Sequence, residues 1–285
     1  MDSNHHCEKL SLAKLERKSI QYRKNVLSMI KKANAGHTGG DLSCVDILNV
    51  LYNYVLNVSP ENFMDLDRDR YIHSKGHSVE ALYTVLADRG FFPSEELDTL
   101  NQFQSHFVGH PTRKVFGVEH NTGALGHGLS VSVGVALAGK MDGRSYRVYT
   151  LLGDGELQEG SNWEASMSAA HFGLDNLVVT VDRNTLQITG RTEEVSSLEP
   201  LADKFTAFGY AVRTVNGNDV AALVEIFDQA PFEKGKPNLI LARTTKGKGV
   251  SFIEDQANWH HRIPTDEELT AALTELQAAE EARQV

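Results

Sequence analysis

Two kinds of apolar pattern alternate along the chain. Leu12, Leu15, Ile20, Val26, Leu27 and Ile30 recur among lysines and arginines at roughly helical spacing, which predicts an amphipathic helix over about 10–32. Residues 147–152 and 177–181 are instead short, apolar, β-branched runs, as expected of strands buried on both faces of a parallel sheet. Between them, 162–171 has helical length and composition. The alternation continues with a helix predicted over about 200–208, a strand over 210–215, a helix over 220–229 and a strand over 238–244. Strands alternating with helices imply an α/β fold, a parallel β-sheet flanked by helices on both faces and joined by right-handed crossovers.

Upstream, residues 70–73 predict a further short strand, followed by a helix closed near Arg89 by Gly90. Ser43 with Asp46 three positions on has the form of a capping box, which predicts a second helix opening there and running to about Leu56. Thr265 with Glu268 has the same form and predicts a last helix over about 265–282, with Leu269, Leu273 and Leu276 on one face. Residues 103–121 carry no periodicity and read as a long ordered loop of the kind that often serves function. No linker or repeat interrupts the pattern, so residues 1–285 are expected to form one domain.

Charge narrows the partners. A formal net charge of −10 argues against sequence-independent nucleic-acid binding and against an anionic membrane surface, so a polyanionic ligand would need a metal and local donors. Cys7 and Cys44 form no CxxC pattern and suggest neither a disulfide framework nor a zinc site. With no apolar leader and no run approaching membrane length, a cytoplasmic protein is expected. His5, His6 and Cys7 read as a solvated end.

The candidate chemistry gathers at two strand ends. Gly153-Asp154-Gly155 follows the first buried run and Asp182-Arg183-Asn184 the second, so Asp154 and Asn184 fall at the edge where open α/β sheets bind ligands. A carboxylate between glycines, paired with an amide oxygen, suits a hard cation such as Mg²⁺, which takes its remaining ligands from water and substrate phosphates; the pair predicts a diphosphate. A dinucleotide fingerprint would need a small residue where Gln158 stands, and a P-loop would need a Gly-Lys-Ser/Thr ending that is absent. The remaining alternative is that both segments are ordinary turns. His73 and His77 are four apart, but the strand and Gly76 between them argue against a helical zinc pair, leaving His73 structural. Lys246 and Lys248, past the last strand, are candidate phosphate groups.

Gly153-Asp154-Gly155 followed by Asn184 resembles the thiamine diphosphate motif of the thiamin enzymes, and 152–160 with Trp163-Glu164-Ala165 is similar to transketolases in particular. The likeness runs from about residue 33 to about 264. It implies a thiamine diphosphate-binding fold of the diphosphate (PP) type, with Asp154, Asn184 and the Leu186 carbonyl on Mg²⁺ or another divalent cation such as Ca²⁺ or Mn²⁺. His37, His77, His110 and His260 are then implied to line the site, His77 and His260 also meeting the diphosphate. Gly153, Gly155 and Glu156 belong to the cofactor loop, and Gly123, Ala124 and Leu125 to the wall behind the aminopyrimidine. The chain departs from the family at Ala124, at His127 where most members have glutamine, and at His261 where they have glycine, so the resemblance leaves open whether His260 or His261 meets the diphosphate.

The implied activity is transfer of a two-carbon ketol unit from a ketose to an aldose, as in the pentose phosphate reactions of carbohydrate metabolism. Histidines suit its proton transfers because their unperturbed pKa lies near 6.5. The glutamate on which the family's cofactor activation depends belongs to a pyrimidine-binding domain that is not in this chain. The resemblance therefore implies the N-terminal subunit of a split transketolase, self-associating across its cofactor sites or pairing with a C-terminal transketolase subunit in a two-plus-two heterotetramer, with Glu159 near the interface. A 2-oxoacid dehydrogenase E1 α-subunit, a 1-deoxyxylulose-phosphate synthase fragment and a non-catalytic cofactor-binding paralogue are the alternatives.

Overall fold

The computed structural model describes residues 9–283, and the His5, His6 and Cys7 reading lies outside them. The chain begins with α1 (Leu12–Ala33) and α2 (Thr38–Val50), the latter running into one π-helical turn (Leu51–Val55). Strand β1 (Arg70–His73), α3 (Val79–Asp88), α4 (Gly128–Met141), β2 (Val148–Gly153), α5 (Gly160–His171) and β3 (Leu177–Arg183) follow. A two-residue hairpin comes next, β4 (Leu186–Gln187) and β5 (Gly190–Arg191), then α6 (Thr192–Val195), α7 (Leu201–Ala207), β6 (Ala211–Asn216), α8 (Val220–Asp228), β7 (Asn238–Arg243) and α9 (Asp266–Glu281).

Five strands form one parallel sheet in the order β1-β2-β3-β7-β6. Alternate side chains of the central strands feed two cores. Tyr149, Leu151, Val178, Ile240 and Ala242 pack with apolar residues of α1, α2, α3, α8 and α9. Val148, Leu152, Val179, Val181 and Leu241 pack on the other face with α4, α5 and α7. The fold is thus α/β with both sheet faces covered, which is why β2 and β3 are buried at every position and read as continuous apolar runs.

One predicted boundary is corrected. The second helix opens at Thr38, not at Ser43, because Ser43 and Asp46 lie inside α2 and turn inward: the Ser43 hydroxyl donates to the Gly40 carbonyl and to Asp182, and Asp46 pairs with Arg23 at 2.6 Å. Gly39 and Gly40, which discourage a helix locally, are held in it by contact; a Cβ on Gly39 would lie 3.0 Å from the Lys246 side chain. The Thr265 and Glu268 capping box is present in full. Among the described residues no helix is long and apolar enough to cross a membrane.

Candidate active site

The sheet ends its strands against a cavity of about 440 Å³. Asp154 is the first residue beyond β2 and Asn184 the first beyond β3, so strand pairing alone sets them side by side, with the Asp154 N–H donating to the Asp182 carbonyl. Asp154 Oδ1 accepts from the Gly155 N–H (2.8 Å), while Oδ2 accepts from the Thr185 N–H (2.6 Å) and from Arg183 (3.0 Å). Three donors leave Asp154 Oδ1 a free lone-pair direction. Asn184 Oδ1 accepts from the Leu186 N–H at 3.1 Å, forming a small turn that carries the Leu186 carbonyl to the same cavity. Carboxylate, amide and carbonyl oxygens together fit a hard divalent cation. Burial and the neighbouring Asp182 raise the Asp154 pKa, and Arg183 opposes that rise.

Two buried lysines give the cavity its positive charge. Lys75 donates to Asp182 and, at 2.9 Å, to the Gly40 carbonyl; Asp182 also accepts from Ser43, Thr244 and Asn184. Burial favours a neutral lysine, but Asp182 outweighs it and holds the Lys75 pKa above the usual value. Lys246 donates to the Leu186 carbonyl (3.1 Å) and bonds His260 Nδ1 (2.7 Å). Burial and Lys75 lower its pKa to about 8, so it remains mainly a cation at pH 7 with one donor hydrogen to spare. These donors fit a diphosphate. Lys248, the other lysine candidate, points away and pairs with Glu254.

Four of the chain's histidines frame the opening. His37 stands at the start of α2, its ring 5.3 Å from His77, 6.0 Å from His110 and 5.6 Å from His260, while His77 and His260 stack at 5.7 Å. Burial and neighbouring cationic or imidazole groups lower the pKa of His37 to about 3 and of His260 to about 2, and hold His77 well below its usual value. Burial and His261 lower that of His110. All four are therefore neutral at pH 7. His73 is buried between the Tyr71 hydroxyl and Ser78 and does not line the cavity.

Sequence reasoning assembles most of this set. His37, His77, Gly123, Leu125, Gly153, Asp154, Gly155, Glu156, Asn184, Leu186 and His260 line the one cavity. His110 flanks it, since a Cβ on Gly123 would meet its ring at 2.7 Å, and Ala124 is exposed beside it. Glu156 is fully engaged by protein donors, accepting from Ser74, the Gly126 N–H and the Gly153 N–H, so it ties the loops around the cavity together. Lys75 and Asp182 were missed. The one signal for Lys75 was its place inside the Ser74 to His77 segment, since lysine is ordinarily a surface residue.

The family model described as "Transketolase, thiamine diphosphate binding domain" matches residues 16–281. An apulose-4-phosphate transketolase subunit of Phocaeicola vulgatus is 49% identical over 262 residues, covering 92% of this chain and 93% of that protein. The 6-deoxy-6-sulfo-D-fructose transketolase subunit SqwG of a Clostridium species is 42% identical, covering 92% and 96%. Among solved structures, the transketolase of Campylobacter jejuni superposes with a TM-score of 0.87 at 31% identity; the match covers 96% of this chain and 46% of that one.

Proposed function

Since the chain belongs to the transketolase family, as its thiamine diphosphate-binding domain, we propose that it is the cofactor-binding subunit of a two-subunit transketolase. It transfers a two-carbon ketol unit from a ketose to an aldose, in sugar interconversions of the pentose phosphate kind. The observation that carries this reading is the convergence of Asp154, Asn184 and the Leu186 carbonyl with two lysines and four histidines on one cavity at the strand ends. Relatives of nearly the same length are named as transketolase subunits, which supports a separate C-terminal partner, most simply in a two-plus-two heterotetramer. Cys44, buried and in no disulfide among the described residues, goes with a reducing, cytoplasmic setting.

Asp154, Asn184 and the Leu186 carbonyl would hold Mg²⁺, and Lys246 and His260 would hold the diphosphate. The cofactor held there would supply a nucleophilic carbon and an electron sink for the transferred fragment. Gly123, Ala124 and Leu125 form the wall for its pyrimidine ring. His260 is favoured over His261 for the diphosphate because it is the one joined to Lys246. Neutral imidazoles on His37, His77 and His110 would orient the sugar hydroxyls and carry protons between them, and a bound diphosphate's negative charge would act to raise their low pKa values.

The test is reconstitution. With its C-terminal subunit, Mg²⁺ and thiamine diphosphate, the chain should transfer ketol units, and Asp154→Ala should abolish metal-dependent cofactor binding in calorimetry while the circular dichroism spectrum is unchanged. Unaltered affinity in Asp154→Ala would overturn the metal assignment. Cofactor binding without turnover, across several ketose donors, would favour the non-catalytic paralogue.

A further inference from the structure

His261, where the family resemblance expects glycine, lies beside His37 with ring centroids 4.0 Å apart, and 5.0 Å from His260. One ring nitrogen from each of His37, His260 and His261 falls within 4.8 Å of the others. Zinc with nitrogen ligands at 2.0–2.1 Å needs them about 3.3 Å apart in a tetrahedron, a closure that small side-chain rotations can supply. Among the described residues His37 Nδ1 is buried without a hydrogen-bond partner, and Lys246 donates to His260 Nδ1, so His260 ligates through Nε2 once that nitrogen releases its proton to solvent and Lys246 passes one to Nδ1.

From this geometry we infer that His37, His260 and His261 form a second metal site, one that takes a borderline-soft divalent ion such as Zn²⁺ and is separate from the oxygen-donor site at Asp154. Three imidazoles and an open fourth position match the ligand count of open zinc sites. Imidazole favours Zn²⁺, Cu²⁺ and Ni²⁺, whereas carboxylate and carbonyl oxygens suit Mg²⁺, so excess Mg²⁺ does not compete. The two sites share the cavity wall, since His260 reaches the Leu186 carbonyl through Lys246. An ion held by His37 lies among the rings that frame the opening. On the transketolase reading, to which this consequence alone is tied, Zn²⁺ competes with the diphosphate for His260 Nε2 and with the sugar for His37, which makes the enzyme sensitive to free zinc.

The probe is ZnCl₂ titrated calorimetrically into the full chain with Mg²⁺ in excess. The titration uses a His5→Ala/His6→Ala/Cys7→Ala background, because those residues can also bind zinc. One equivalent should bind, and His261→Gly, which restores the family's residue, should weaken that equivalent by at least about tenfold, the cost of losing even an outer-shell partner. Exposed histidines elsewhere are common to both proteins and cancel in the comparison. Equal zinc binding by His261→Gly, or none by the background chain, overturns the site. Zinc binding that depends on His261 in a protein showing no ketol transfer with any partner would leave the site standing and remove the transketolase reading instead.

Discussion

At the level of single residues, the cavity rests on a buried ion pair that a sequence does not advertise. Lys75 and Asp182 are both almost wholly buried, and Asp182 accepts hydrogen bonds from four side chains on four separate segments. Removing one partner leaves the other charged and unpaired in the interior. Lys75→Met should therefore cost roughly 3–5 kcal/mol in urea unfolding, and adding Asp182→Asn should recover part of that loss. A cost under about 1 kcal/mol would mean that the pair is not what fixes these segments. The histidines add a pH dependence. Their folded pKa values, about 3 for His37 and about 2 for His260, lie below the roughly 6.5 of an unfolded histidine. Between those limits the unfolded chain takes up protons that the folded chain does not, so stability is complete above about pH 6.5 and falls as the pH drops. Each such imidazole steepens that fall by up to about 1.4 kcal/mol per pH unit. His37→Gln should flatten the acid limb of a stability-against-pH curve, and an unchanged slope would show that His37 is protonated in the folded state. Asp154 and Asn184 were legible because glycines and apolar runs bracketed them. Lys75 is barely legible, because its place inside the Ser74 to His77 segment is the one hint, and lysine is ordinarily a surface residue.

Elements follow the same division between local and long-range causes. Thr265 with Glu268 and Ser43 with Asp46 share one pattern, yet only the first caps a helix. Local chemistry decides α9, whose N-terminus is exposed, whereas α2 is buried along its length and its polar residues answer to Asp182 and Arg23 on other segments. The β4–β5 hairpin was not legible because two-residue strands carry no period. Loop contacts around the site are also long-range, and glycine permits the closest of them. A Cβ on Gly76 would stand 2.7 Å from the Gly123 backbone nitrogen, and Gly123 itself has φ +135°. Because backbone cannot swing aside as a side chain can, Gly76→Ala should push the 122–126 loop outward. The expected result is cofactor affinity reduced by roughly tenfold or more with helix and strand content retained, since small misplacements at a site are costly. Calorimetry with thiamine diphosphate and Mg²⁺, set beside circular dichroism, measures both. Unchanged affinity would show that the loop has room to yield.

On the scale of the whole molecule, α4 divides into two faces. Leu129, Ser132, Val133, Ala136 and Gly139 are buried in the fold, while Ser130, Gly134 and Ala138 are exposed and Val131 and Val135 half-buried. An outward face of small and β-branched residues lets another chain approach closely, and it continues to exposed Ala124 and Glu159 beside the cavity mouth. If the partner subunit or a second copy completes the site there, this face is where it packs. Gly134 separates the two demands, because a Cβ at that position would meet nothing within 4 Å among the described residues. Gly134→Arg should thus leave the isolated chain folded, and its better helix propensity should raise stability by up to about 1 kcal/mol. A guanidinium forced into a close-packed contact should at the same time prevent assembly. Thermal unfolding of the lone chain and sedimentation of its mixture with the C-terminal subunit read the two effects apart. An intact fold with assembly and ketol transfer both lost is the expected outcome, whereas a Gly134→Arg protein that assembles and turns over normally would exclude this face of α4 from the interface.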